Sequence, residues 1–290
     1  MTPNARLRSG DEAPPAWYLA GMIRETPSVL RALFALTVMG TGLATGASGC
    51  ATEETLCPDG AEPTVHESEI IEADTVWKAG CGAHVVRNFV RVGEGATLTI
   101  EPGARVELAT DALFEIGKES FTSAATLVAK GTAAKPILFT RHETAPWTAI
   151  YVQYPGKATF EHVVVEGGGA DDPNSGSASL VVRGDYELPR KDMTQLAHVT
   201  IRDSVGPGLW IRESGSLTAD STDLTITACG KSDGELRLRF PAAVNPTALT
   251  NFPIGKYTGN ALDEILIETT STSQGEANVL EDVTIRERGV

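Results

Sequence analysis

From Gly95 onward the apolar residues come in short alternating runs, separated by Gly, Pro, Asp or Asn. Alternation over four to eight residues is the period of a half-buried strand, and the interrupting residues are those of tight turns. Leu98/Ile100, Val106/Leu108 and Phe114/Ile116 each alternate with polar neighbours, so three strands start 8 residues apart. Between the first two, Pro102 presets the φ that opens a turn and Gly103 accepts a positive φ at no steric cost. No segment sustains a helical period, which argues against a solenoid of helical hairpins.

One strand recurs. Aligning PILFTR, EHVVVEG, AHVTIRD, TDLTITA and EDVTIRE sets inward pairs at Ile137/Phe139, Val163/Val165, Val199/Ile201, Leu224/Ile226 and Val283/Ile285, with spacings of 26, 36, 25 and 59. A step of 25 or 26 is one unit. The 36 is a unit carrying an insertion, for which DDPNSG and DYELPRKDM are the sources, and the 59 is two units if Leu249 occupies the missing strand. A second strand follows at Leu209/Ile211 and Leu236/Leu238, with Ile265/Ile267 as its next copy. Units of about 25 residues holding several strands each mark a solenoid, in which a coil buries its apolar face only by stacking on its neighbours.

The segments ATLTIEPGARVEL (96–108) and GTAAKPILFT (131–140), with Trp147 close behind, resemble the right-handed parallel β-helix of the pectin-lyase-like group found in many bacterial surface proteins. The position two residues after this Trp, usually Gly in those relatives, is Ala149. The resemblance covers about 95–290 and implies an all-β fold, a right-handed parallel β-helix solenoid of about eight coils. A jelly roll is the competing arrangement, disfavoured by the parallel-looking repeat. The expected organisation is an N-terminal extension and signal peptide over 1–49, a flexible acidic tether over 50–68, an N-terminal cap over 69–94 and the helix proper over 95–290.

The N-terminus carries an address. Ala32–Gly49 is an uncharged run of 18 residues preceded by Arg24 and Arg31 and followed by Cys50. It is short and dilutes into Gly and Thr, which favours a cleaved export signal over a stable span of about 20 apolar residues. Ala47, Ser48 and Gly49 ahead of Cys50 resemble a bacterial lipobox, with Ala47 where Leu is usual. The resemblance implies lipidation at Cys50, attachment to a membrane and, with neutral Ala51 following, an outer-membrane lipoprotein of a two-membrane bacterium. A plain secreted protein and an uncleaved anchor are the alternatives. Met22 is a better start than Met1, because residues 1–21 carry two acids and adjacent prolines ahead of the signal. Export allows a disulfide. Cys57 and Cys81, 24 residues apart in a polar stretch, are the expected pair, a loop whose closure contributes roughly 3 to 4 kcal/mol. Cys229 remains as a free, buried thiol.

Composition narrows the partners. With 24 Lys and Arg against 38 Asp and Glu, the net charge of −14 leaves no basic surface for a nucleic acid backbone. In the strand register, His162, His198, Asp223 and Asp282 share an outward position just before the strand, where a row of acids and bases or a partial metal site would form. Arg141, Glu166, Arg202 and Arg286 follow the strand, with Thr227 in the series, as a cross-coil ion ladder. Were the protein an enzyme on an extracellular polysaccharide, a lyase or glycoside hydrolase, then His162, His198, Arg202, Asp223 and Glu166 are its candidate groups. Polar residues at outward strand positions are also what a solvated surface ladder requires. Trp147, Trp210, Tyr151 and Tyr154 are a candidate sugar-stacking strip, with Trp210 outward because Leu209 and Ile211 point in. Asp171, Asp172 and Asn174 lie in a Gly-rich loop and offer oxygen ligands suited to calcium, and no other cofactor is expected. The expected role is non-catalytic: structural, adhesive or glycan-binding. The expected partners are a membrane and either a glycan or another surface protein.

Overall fold

The structure, a computed structural model, describes residues 61–80, 82–170, 178–185, 191–231 and 235–268. The expectations for the signal, Cys50, Cys57, Cys81, Asp171, Asp172, Asn174 and the coil at Val283/Ile285 lie outside those residues.

Every strand pairing among them is parallel. Coil one is β1 (Thr64–Ile71) and β2 (Thr75–Trp77), and coil two is β3 (His84–Val92) and β4 (Thr97–Ile100). In coil three each of three faces has its own strand: β5 (Arg105–Leu108), β6 (Leu113–Ile116) and β7 (Thr126–Lys130). Coil four runs through β8 (Ile137–Arg141) and β9 (Ala149–Gln153) into β10 (Lys157–Glu166). β10 turns a corner partway, and its second half opens coil five, which continues through β11 (Leu180–Arg183) into β12 (Lys191–Arg202). β12 turns in the same way and leads to β13 (Leu209–Arg212) and β14 (Gly215–Leu217). β15 (Thr222–Thr227) and β16 (Ala242–Val244) make coil seven, and β17 (Gly255–Lys256) and β18 (Ile265–Ile267) make coil eight. The result is a three-faced parallel β-helix.

The registers run inward side chains into files. On the second face Ile71, Val92, Ile116, Val152, Val182, Ile211, Val244 and Ile267 follow one another, one from each coil. On the first face the file is Val106, Phe139, Val165, Ile201 and Ile226, so the steps inferred from sequence through Ile226 are the observed ones. Aromatic rings cross the interior: Trp77, Phe114, Phe139 and Phe160 meet edge to face at centroid separations of 5.6, 5.9 and 6.3 Å. Such contacts add about 0.5 to 1.5 kcal/mol each beyond the area they bury.

Four expectations are corrected. Among the described residues the first strand starts at Thr64, inside the stretch expected as tether, and 69–94, expected as a cap, is ordinary ladder. β1 carries a weak strand signal because its inward positions include His66 and half-buried Glu69 beside Ile71. Leu236 and Leu238 lie in a short 3-10 helix (Leu236–Arg239), and the second-face strand of coil seven is Ala242–Val244, whose small side chains carry a weak signal. Leu249 belongs to a second 3-10 helix (Pro246–Thr250), capped by the Asn245 side chain, and the first-face strand arrives at Gly255–Lys256. That helix stands where β14 would expect a strand, and Asn245 and Asn251 donate to the carbonyls of Gly215 and Leu217 at 2.8 and 2.9 Å. The buried ladder therefore keeps its hydrogen bonds where the strand is lost.

Phe139 is fully buried between Phe114 and Phe160. Phe139→Ala is expected to lower unfolding free energy by about 3 to 5 kcal/mol, read as a fall in the urea midpoint.

Candidate functional site

The corner between the third and first faces explains the row before the strand. Phe160 and Val163 both point inward, although alternation would send one of them out. His162 between them takes a left-handed φ of 48°, which resets the alternation, and His198 and Asp223 do the same at 54° and 48° in the next coils. His and Asp are among the residues that tolerate this region best. The backbone thus turns each of these side chains outward at the same level of the corner, and register stacks them.

The stacking is close. The His162 and His198 rings lie parallel with centroids 4.5 Å apart, and His198 Nδ1 is 2.9 Å from Asp223 Oδ2. The pair is open to solvent, with side chains 47% and 63% exposed. At the other end of the same strands Arg202 contacts Glu166 at 2.6 Å, and Glu166 also accepts the Thr140 hydroxyl at 2.8 Å. The expected ladder is only half built, because Arg141 turns away from Glu166 and donates to the carbonyls of Gly167 and Asp203. Thr227 donates to the Thr258 carbonyl. The five candidate groups therefore form two separate rows on the outward face, with His162 and Glu166 half-buried and His198, Arg202 and Asp223 exposed.

The aromatic strip is rearranged. Trp147 is core, wholly buried, with its indole N–H on the Glu166 carbonyl, and Gly168 lies so close to the ring that a Cβ there would stand 2.7 Å from it. Trp210 does point outward but is only 5% exposed. It is held by Arg212 and Arg237, whose guanidinium carbons lie 4.6 and 5.3 Å from the ring centroid, and by a 2.7 Å bond to Glu268. Tyr151 is also buried, which raises its hydroxyl pKa, while Tyr154 packs against the core edge. Ala149, Tyr151, Val181, Trp210 and Ala243 form an apolar cluster on the outside of the second face, apart from the interior core.

Two arrangements were not foreseen. Beside Tyr151, Arg183 Nε contacts Glu213 Oε2 at 2.6 Å, and the Glu213 side chain is 1% exposed at a left-handed corner of 56°. The other, around His66 and His84, lies in the first two coils. Cys229 is the buried free thiol expected, and burial pushes its pKa up to about 11. Among the described residues no group of three or more His, Cys, Asp or Glu is arranged to hold a metal, and no helix is long and apolar enough to cross a membrane. Compared with protein-family models, curated proteins and solved structures, the chain matches none.

The two ion pairs should differ in how much truncation costs. Arg183→Ala strands the buried Glu213 carboxylate and is expected to cost roughly 3 to 5 kcal/mol. His198→Ala removes only an exposed partner and should change stability by less than about 1 kcal/mol in the same urea titration.

Proposed function

We propose that the protein is exported, anchored through lipidated Cys50 in the cell envelope as an outer-membrane lipoprotein of a two-membrane bacterium, and acts by contact and not by turnover. Its role in this reading is structural, adhesive or glycan-binding, with a glycan or another surface protein as partner. The observation that carries it is the disposition of the candidate acids and bases. Half-buried His162 and exposed His198 and Asp223 line a corner, Glu166 and Arg202 form a separate pair, and each group is engaged by a neighbour in its own row. General acid and base chemistry on a glycosidic bond needs groups that converge on one reacting atom. A repeating face of strands instead offers many equivalent shallow contacts, which suits a long or multivalent partner. The strongly acidic chain favours a neutral or cationic surface over an anionic polymer.

The second reading, a lyase or glycoside hydrolase, draws on the His198–Asp223 pair, since a carboxylate on an imidazole nitrogen is how a histidine base is oriented. A panel of neutral and acidic polysaccharides separates the two. The purified protein is expected to give no new reducing ends or unsaturated product, with any binding unchanged in His198→Ala. Product that disappears in His198→Ala would establish the enzyme instead, and silence in both assays would leave a structural or protein-partner role.

A further inference from the structure

His66 on β1 and His84 on β3 point inward and are 8% and 9% exposed. Their ring nitrogens, His66 Nε2 and His84 Nδ1, lie 3.0 Å apart. The other His66 nitrogen, Nδ1, is 2.6 Å from Glu69 Oε2, and the other His84 nitrogen, Nε2, is 3.0 Å from the Lys78 carbonyl oxygen. Both imidazoles lie nearly parallel to the Trp77 indole, with centroids 4.2 and 4.8 Å from it. Joined edge to edge, they cover the ring that heads the aromatic file of the interior.

The partners dictate the protons. A carbonyl oxygen only accepts, so His84 carries its proton on Nε2 and, as a neutral ring, accepts at Nδ1. His66 must then donate from Nε2, and the gap between His66 Nδ1 and the Glu69 carboxyl needs one proton of its own. One proton fills each gap in a chain with a single direction. A further proton on His84 would set an N–H against an N–H at 3.0 Å. Burial lowers the His84 pKa, the Lys78 carbonyl partly opposes this, and the charge of His66 adds to the lowering. Around the pair, β1 supplies Glu69, Glu101 after β4 is occupied by the Ala79 N–H, and Val106 of β5 beside His84 is apolar.

The first coil has little else to hold it. Among the described residues β1 pairs only with β3, and β2 only with β4. The β1 register slips between Glu67 and Glu69, where Ser68 takes a φ of 52°. Val65, Ile70 and Val76 are 45%, 47% and 52% exposed, so the outward apolar side chains of this coil bury little. Terminal units with few buried contacts open at lower free energy than the whole fold.

We propose that Glu69, His66, His84 and the Lys78 carbonyl form an acid-sensitive latch: one proton taken up by His84 breaks the His66–His84 bond and releases coil one, residues 64–77, while the coils beneath stay folded. Release returns His84 to an ordinary pKa of about 6.5. At His84 the open form then binds more protons than the closed form as pH falls. The His84 contribution to closure is therefore complete above about pH 6.5 and is lost as pH drops through the lowered His84 value.

Native-state amide exchange of the full-length chain, corrected for the intrinsic pH dependence of exchange, tests this between about pH 7.5 and about pH 5. Protection of 64–71 and 75–77 is expected to fall by about tenfold or more, while that of 113–116 and 126–130 changes by less than about twofold. His84→Phe keeps a ring on Trp77 without the titrating nitrogen and should abolish the difference. If that variant loses protection at 113–116 even at neutral pH, imidazole nitrogen shifts of the wild-type protein decide: His84 should be the Nε2–H tautomer at neutral pH and titrate in step with the loss of protection. Equal loss in coils one and three, an Nδ1–H tautomer at His84, or an undiminished response in a folded His84→Phe would each overturn the latch.

Discussion

Each turn of this chain has to come back onto the one before it. The second-face file from Ile71 to Ile267 records that return seven times among the described residues, whatever length of chain lies between. Thr64 and His84 are 20 residues apart in sequence, Val165 and Ile201 are 36 apart, and both pairs are level neighbours in a ladder. Extra residues leave at corners or, as at Met193 in β12, at a bulge, because a residue added within a regular strand would turn every inward side chain after it to the solvent. The core is consequently one-dimensional: Phe139 depends on Phe114 and Phe160, which belong to other strands far away in sequence.

The same return makes rows on the surface. Once a corner needs a left-handed residue, register places the next coil's corner residue beside it, and His162, His198 and Asp223 line up whether or not a ligand ever meets them. A row of titratable side chains in such a fold is thus weak evidence of chemistry. Convergence from different corners is the stronger sign, and the Glu166–Arg202 and His198–Asp223 pairs do not supply it.

What could be read from sequence followed the size and regularity of the inward residues. The steps of 26, 36 and 25 were legible because Val163/Val165, Val199/Ile201 and Leu224/Ile226 repeat the same bulky pair in the same frame. Coil seven was misplaced because its strand is Ala-Ala-Val, while the larger Leu236 and Leu238 sit in a 3-10 turn. The outward aim of Trp210 was legible from the parity of its neighbours, but not its burial, since Arg237 and Glu268 reach it from 27 and 58 residues further on. His66 was hidden for a related reason. An inward imidazole does not register as apolar in an alternation, so the first strand looked like part of an acidic tether.

Both ends of the described stack face one problem, the exposure of interior rings and of carbonyls that lack a strand above them, and they meet it with different side chains. Toward the C-terminal end, Asn245, Asn251 and Asn260 donate to the carbonyls of Gly215, Leu217 and Ile226. An amide keeps its protons across the whole accessible pH range, so these three bonds do not titrate. At the other end a pair of imidazoles lies over Trp77 and one of them donates to the Lys78 carbonyl. Imidazoles fill the space of an apolar ring and still offer an N–H, which suits a site that is partly core and partly edge. They are also the side chains whose charge changes near neutral pH. Among the described residues the stacked imidazole pair thus lies in the first two coils, and amide side chains serve the opposite end.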